Sequence, residues 1–206
     1  MYSEYEQKDQ KHFSAWAPHF DSGVDGIFFR ASYRAALKAA YPYPHASVLE
    51  VACGTGGFIK ALLNKEPALS ITGIDYTPAM LAEAEIKFKN DRRVCLMQGS
   101  ADNLPLQEQF NFVYCLDAFH HFQNADKALE EMRRTVKPLG TIIILDPVFD
   151  GWKHLLMKLA LPFLGEAHIA KRSTKDWHTL LAQHQLKIVR ETSWLVFFKI
   201  FILQNI

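Results

Sequence analysis

VLEVACGTGGFIKALL, residues 48–63, decides the fold. A strand-like run ends at Cys53, and from Phe58 onward apolar residues recur at the three- and four-residue spacing of a helix. Gly54, Thr55, Gly56 and Gly57 lie between them. Glycines let the backbone turn sharply and approach a ligand with no Cβ in the way, and the helix that opens there presents amides lacking an intrahelical partner. In a dinucleotide-binding G-x-G-x-x-G loop the third glycine or alanine lets helix and strand pack closely. Ile59 occupies that position, which weighs against nicotinamide and flavin dinucleotides.

Outward from this loop, strand-like runs alternate with helical patterns, the mark of stacked βαβ units and a largely parallel sheet. The predicted strands are 46–51, 70–75, 93–98, 110–116 and 141–146. Helices are predicted at 58–66, 78–90 and 124–137, with Asn124 as the cap of the last and Pro138 and Gly140 as its end. Residues 1–43 read as one or two aromatic-rich helices, residues 44–147 as the alternating core and 148–172 as a segment outside that repeat. Residues 173–206 read as a helix and two strands joined too tightly to be anything but antiparallel. All of this makes one α/β domain.

With 206 residues, 49% hydrophobic and 22% charged, the chain can close an ordinary globular core. Its 23 Lys and Arg against 22 Asp and Glu create no field that would gather phosphate backbones, so nucleic acid is not the expected partner. Cys53, Cys95 and Cys115 are odd in number and lack CxxC spacing, which argues against disulfides and structural zinc and for a reduced, cytoplasmic setting. No H-x-x-x-H or mixed Cys/His spacing supports a metal site, and no Ser stands in a nucleophile elbow. A polar start after Met1 shows no secretory signal, and the longest apolar run, 194–202, is too short to span a bilayer.

Four more stretches carry chemistry. ITGIDYTPAML (71–81) ends a predicted strand at Asp75, 21 positions after Gly54, where a carboxylate can accept from both hydroxyls of a ribose or cap the following helix. The others are GSADNLP (99–105), FNFVYCLDAFHHF (110–122) and EEMRRTVKPLGTIIILD (130–146). Near the start, WAPHFD (16–21) sets an aromatic residue before an acid.

Together these stretches resemble the class I S-adenosylmethionine-dependent methyltransferases, especially the small-molecule branch that includes ubiquinone- and menaquinone-type enzymes. The resemblance spans most of the chain. It implies a Rossmann-like, seven-stranded, mostly parallel sheet with helices on both faces and an antiparallel C-terminal strand pair. It also implies S-adenosylmethionine as cofactor and S-adenosylhomocysteine as its product. The acid that ends the family's first strand falls on Glu50 and the G-x-G loop on Gly54, Thr55 and Gly56, after Cys53; Ala52 stands where many members have glycine. Asp75 takes the ribose role, with Tyr76 and Met80 beside the adenine. Ser100 replaces the usual aspartate that meets the adenine amino group, and the Ala101 amide can donate to a ring nitrogen. Cys115, Leu116 and Asp117 fall beside the methionine part. The resemblance also makes residues 1–43 a helical lid, in which Phe20 replaces a more usual tyrosine, 44–147 the cofactor-binding core and 148–172 a substrate-covering insertion.

Methyl transfer from a sulfonium needs in-line alignment and exclusion of water, and a base only when the nucleophile carries a proton. His121, and after it His120, are the residues placed to act as that base; the alternative is that they bond to backbone and shape the loop. The expected acceptor is a small, partly apolar organic molecule covered by the helical pattern WKHLLMKLALPFL (152–164). Core packing, a homodimer contact and a peripheral membrane-surface face are the other readings of that helix. Two further readings stay open: a cofactor-binding protein without transferase activity, and a dinucleotide-dependent oxidoreductase.

Overall fold

Seven strands form one sheet in the order β3-β2-β1-β4-β5-β7-β6. The computed structural model describes residues 4–107, 109–151 and 170–205. The strands are β1 (Ser47–Val51), β2 (Ser70–Asp75), β3 (Val94–Gln98), β4 (Phe110–Leu116), β5 (Val136–Pro147), β6 (Leu186–Trp194) and β7 (Phe198–Asn205). β1 to β5 run parallel, whereas β7 enters antiparallel between β5 and β6. The helices are α1 (Glu4–Trp16), α2 (Gly23–Ala39), α3 (Gly57–Lys65), α4 (Pro78–Phe88), α5 (Ala125–Thr135) and α6 (Thr174–Gln183). The predicted helix at 152–164 lies outside the described residues.

The central strands β1 and β4 and the second half of β5 are buried at nearly every position because both faces of the sheet are covered there. Leu49, Val51, Ile142 and Ile144 point to a core shared with α5 and with Trp177 of α6. Val48, Ile143 and Leu145 point the other way, to a core shared with Tyr33 and Leu37 of α2 and Phe58 and Leu62 of α3. The chain winds outward from β1 to β3 and then crosses back to β4 on the other side of β1. That reversal leaves a crevice at the carboxyl ends of β1 and β4, where open α/β sheets bind their ligands.

One boundary departs from expectation. The helix before β5 ends at Thr135, whose hydroxyl bonds back to the Glu131 carbonyl at 2.8 Å, and β5 begins at once. Val136 already pairs with Phe110, so Pro138 and Gly140 lie inside an irregular first half of the strand and not in a turn before it. Leu139 takes up the irregularity with a φ of +61°. Pairing with β4 outweighs the local preference of Pro and Gly for a turn.

Gly56 caps α3 from the left-handed region, φ +76°, and a Cβ there would stand 2.6 Å from the Phe88 ring of α4. Gly56→Ala is therefore expected to lower stability by at least about 1–2 kcal/mol from the backbone alone, read as a lower denaturation midpoint. An unchanged midpoint would show that the turn relaxes.

Candidate functional site

The tips of β1, β2, β3 and β4 open into one cleft, roofed by the N-terminal helices. β1 supplies Glu50 and, past its end, Ala52, Cys53 and Gly54; β2 supplies Asp75, followed by Tyr76 and Thr77. Met80 of α4 and residues 99–102 after β3 close one end. Leu116, Asp117, Ala118 and His121 form the opposite wall. The roof is Asp9 and Phe13 of α1, Phe20, and Phe29 and Tyr33 of α2.

Left-handed backbone marks the turning points: Ala52 has φ +59°, Gly54 +52° and Asp117 +53°. Ala52 takes this conformation with a Cβ in place, at a cost of about 1–2 kcal/mol that a glycine would not incur.

Asp75 does two jobs. Its side chain is buried, with Oδ2 accepting from the Gly54 amide at 2.8 Å and Oδ1 from the Thr77 amide at 2.8 Å. It therefore ties the glycine loop to the start of α4. Burial pushes its carboxyl upward, and the Thr77 and Gly54 amides oppose that shift. Glu50 is buried deeper in the cleft and its Oε2 has no hydrogen-bond partner. Burial, then the neighbouring Asp75 charge, hold its carboxyl well above the usual range, against the Ile59 amide.

Thirteen of the residues expected from sequence line this cleft, from Phe20 and Glu50 through to Asp117 and His121. Four do not. Thr55 turns away, its hydroxyl on Asp21 at 2.9 Å and its carbonyl accepting from Lys87 at 2.6 Å. Gly56 makes room for α4, and Cys115 is wholly buried. His120 is buried behind the wall, with Nδ1 2.8 Å from Asp146 Oδ1. His121 stands in the wall, with Nδ1 3.6 Å from Asp9 Oδ1 and its ring edge-on to Phe13 at 5.1 Å.

Several lining residues were not foreseen. Asp9 is buried and accepts from the Tyr76 hydroxyl at 2.8 Å, so α1 grips the residue beside the expected adenine site. In sequence Asp9 is one charge among many in a polar helix, and no spacing distinguishes it. Tyr33 is held well above the usual phenol range by burial, then by the charges of Glu50 and Asp117. Its signal in the sequence was only a share in an aromatic helix face. Arg30, a conceivable partner for a cofactor carboxylate, instead donates to the Asp21 carbonyl at 3.0 Å.

An adenosyl amino acid fits what is present. Asp75 offers acceptors to a diol, Tyr76 and Met80 offer surface to a base, and the unpaired oxygen of Glu50 calls for a donor or a cation. No group of three or more His, Cys, Asp or Glu among the described residues is arranged to hold a metal. No helix among them is long and apolar enough to cross a membrane.

Comparison with known proteins agrees with this geometry. Residues 48–140 match the family model described as a methyltransferase domain. A demethylmenaquinone methyltransferase of Staphylococcus carnosus is 29% identical over 68% of this chain and 62% of its own length. The chain thus spans about three-fifths of that relative. A Pyrococcus horikoshii protein of known structure superposes with a TM-score of 0.78 over 100% of both chains at 18% identity. The ubiquinone/menaquinone biosynthesis C-methyltransferase of Citrifermentans bemidjiense is 30% identical over 80% of this chain and 76% of its own length. On that match, and on the strand, glycine loop and acid that build the cleft, the chain belongs to the class I S-adenosylmethionine-dependent methyltransferases.

Proposed function

We propose that this chain transfers a methyl group from S-adenosylmethionine to a small, partly apolar organic acceptor of quinol type. The division of the cleft carries the proposal: the buried carboxylates of Glu50 and Asp75 at the tips of β1 and β2, the half-buried Asp117 past β4, and an aromatic roof with a histidine over the far wall. The quinone-pathway names of its relatives support that acceptor class.

The cofactor, when bound, supplies an electrophilic methyl on a sulfonium. The chain's part is alignment, dryness and proton handling. Asp75 and the Gly54 turn fix the nucleoside end, and because Asp75 also anchors that turn, binding and loop geometry are set by one side chain. Phe13, Phe20 and Phe29 cover the cleft and exclude water; Phe20 stacks on Phe29 at 4.4 Å and meets Trp16 edge-on at 4.9 Å. Such rings also favour a cation near their faces. His121 is the group positioned to take a proton from a hydroxyl or carbon acid, with Asp9 behind its Nδ1. Alignment of this kind can contribute ~7–11 kcal/mol and a placed base roughly 10²–10⁴ in rate.

Incubation with S-adenosylmethionine and a short-chain demethylmenaquinol should give one methylated product by mass spectrometry. Binding of S-adenosylhomocysteine with no methyl incorporation into any quinol, phenol or amine offered would instead identify a silent cofactor-binding protein.

A further inference from the structure

The two oxygens of Asp9 reach opposite sides of the cleft. Oδ2 accepts from the Tyr76 hydroxyl, past the tip of β2, at 2.8 Å, and Oδ1 lies 3.6 Å from Nδ1 of His121, past β4. This carboxylate is buried, whereas the neighbouring charges of α1, Lys8 and Lys11, are exposed. Burying a carboxylate is costly unless hydrogen bonds and charge partners compensate, so its place under the roof calls for a role.

Helix geometry sets the grip. Asp9 and Phe13 are four positions apart and share one face of α1. That face meets the His121 ring with a carboxylate oxygen at Nδ1 and with the Phe13 ring edge-on at 5.1 Å. Gln10 Nε2 donates to the Tyr76 carbonyl at 3.1 Å, which seats α1 on the same residue that fixes the turn of the carboxylate. Burial, then the Asp9 charge, hold the Tyr76 phenol above its usual range, so it stays a donor. His120, whose ring centre is 4.2 Å from that of His121, has an acid of its own in Asp146.

We propose that Asp9 is the positioning residue for His121: it keeps the proton of the neutral ring on Nδ1, leaves Nε2 to face the acceptor, and balances the imidazolium that forms. The inference rests on the reading of His121 as the base and extends that base to the roof. The separation of 3.6 Å exceeds a hydrogen bond, and catalytic hydrogen bonds are often long before substrates bind and tighten in the complex. Nε2 takes the acceptor's proton, the electron pair freed on the acceptor forms the new bond to the methyl carbon, and the pair of the broken carbon–sulfur bond stays on sulfur. One positive charge thus passes from the sulfonium to the ring, which later returns its proton to solvent. A carboxylate at Nδ1 stabilises the ring while it carries that charge. Because the same carboxylate is seated on Tyr76, the roof that excludes water also aims the base.

Asp9→Asn separates aiming the base from docking the roof. Its amide oxygen still accepts from Tyr76, which turns the NH2 group toward His121 and favours the ring proton on Nε2. With a short-chain demethylmenaquinol as acceptor, kcat should fall by roughly 10²-fold, the low end of what a placed base supplies, while KM and S-adenosylhomocysteine affinity move far less. Asp9→Asn combined with His121→Ala should be no slower than His121→Ala alone. Nitrogen NMR of histidine-labelled protein with S-adenosylhomocysteine at pH 8 should show His121 protonated on Nδ1, the minor form of a free histidine side chain, and on Nε2 in Asp9→Asn. This readout needs no acceptor. If Asp9→Asn does not fold, the wild-type tautomer decides, and a proton on Nε2 overturns the inference. Unchanged kcat in Asp9→Asn, where His121→Ala is slow, overturns the role of Asp9 and leaves His121 as the base. Full turnover in His121→Ala overturns the base itself, and the role of Asp9 with it.

Discussion

Asp75→Ala should cost both cofactor affinity and fold stability, and by separable amounts. Two charge-assisted bonds to a ribose at about 1.5–3 kcal/mol each predict a loss of more than 100-fold in S-adenosylhomocysteine affinity. The ribose bonds are only part of the loss, because the same carboxylate accepts from the Gly54 and Thr77 amides at 2.8 Å each. Removing it leaves buried donors unpaired, and stability should fall by about 2–4 kcal/mol. Asp75→Asn keeps one carbonyl oxygen to accept and should recover much of the stability while still binding poorly. Full affinity in the alanine variant would remove Asp75 from the ribose site.

The adjacent histidines should respond in opposite ways. If His121 is the base proposed above, His121→Ala is expected to lower turnover by roughly 10²–10⁴, more than it lowers S-adenosylhomocysteine affinity. His120→Ala should act on the fold. Asp146 is wholly buried, its Oδ1 is 2.8 Å from the His120 ring, and its Oδ2 has no hydrogen-bond partner. Loss of the ring should cost about 3 kcal/mol, seen as a lower denaturation midpoint. Turnover lost equally in both variants, with stability unchanged in both, would put the two rings in one role.

Periodicity carried most of the architecture. The strands at 70–75 and 110–116 fall where short β-branched and aromatic runs place them, and the tight C-terminal connection did imply antiparallel strands. The seven-stranded sheet and its antiparallel end follow the family resemblance as well. What local pattern could not show was the insertion of β7 between β5 and β6, since strand order depends on pairing across the whole chain. The early start of β5 escaped for a similar reason: Pro138 and Gly140 signal a turn until β4 pairs alongside.

The site was legible where backbone need fixes residue type. A loop of glycines and an acid at the next strand tip are visible because few other residues meet those demands. Contacts made by the roof were not, because Asp9 reaches Tyr76 across 67 positions and Ser32 reaches Asp117 across 85. Neither pair has any spacing rule. His120 and His121 could not be told apart in sequence either; a single 3-10 turn sends one ring to Asp146 and the other into the cleft.

The proposed methyl transfer depends on whether the crevice at the ends of β1, β2 and β4 holds an adenosyl amino acid. Isothermal titration of S-adenosylhomocysteine into the wild-type protein and Asp75→Asn, at pH 8 and one protein concentration, tests this most directly. Saturable one-to-one binding to the wild type, weakened at least tenfold in the variant, is the predicted result. No saturable heat with the wild type, or equal affinity for both proteins, would contradict it.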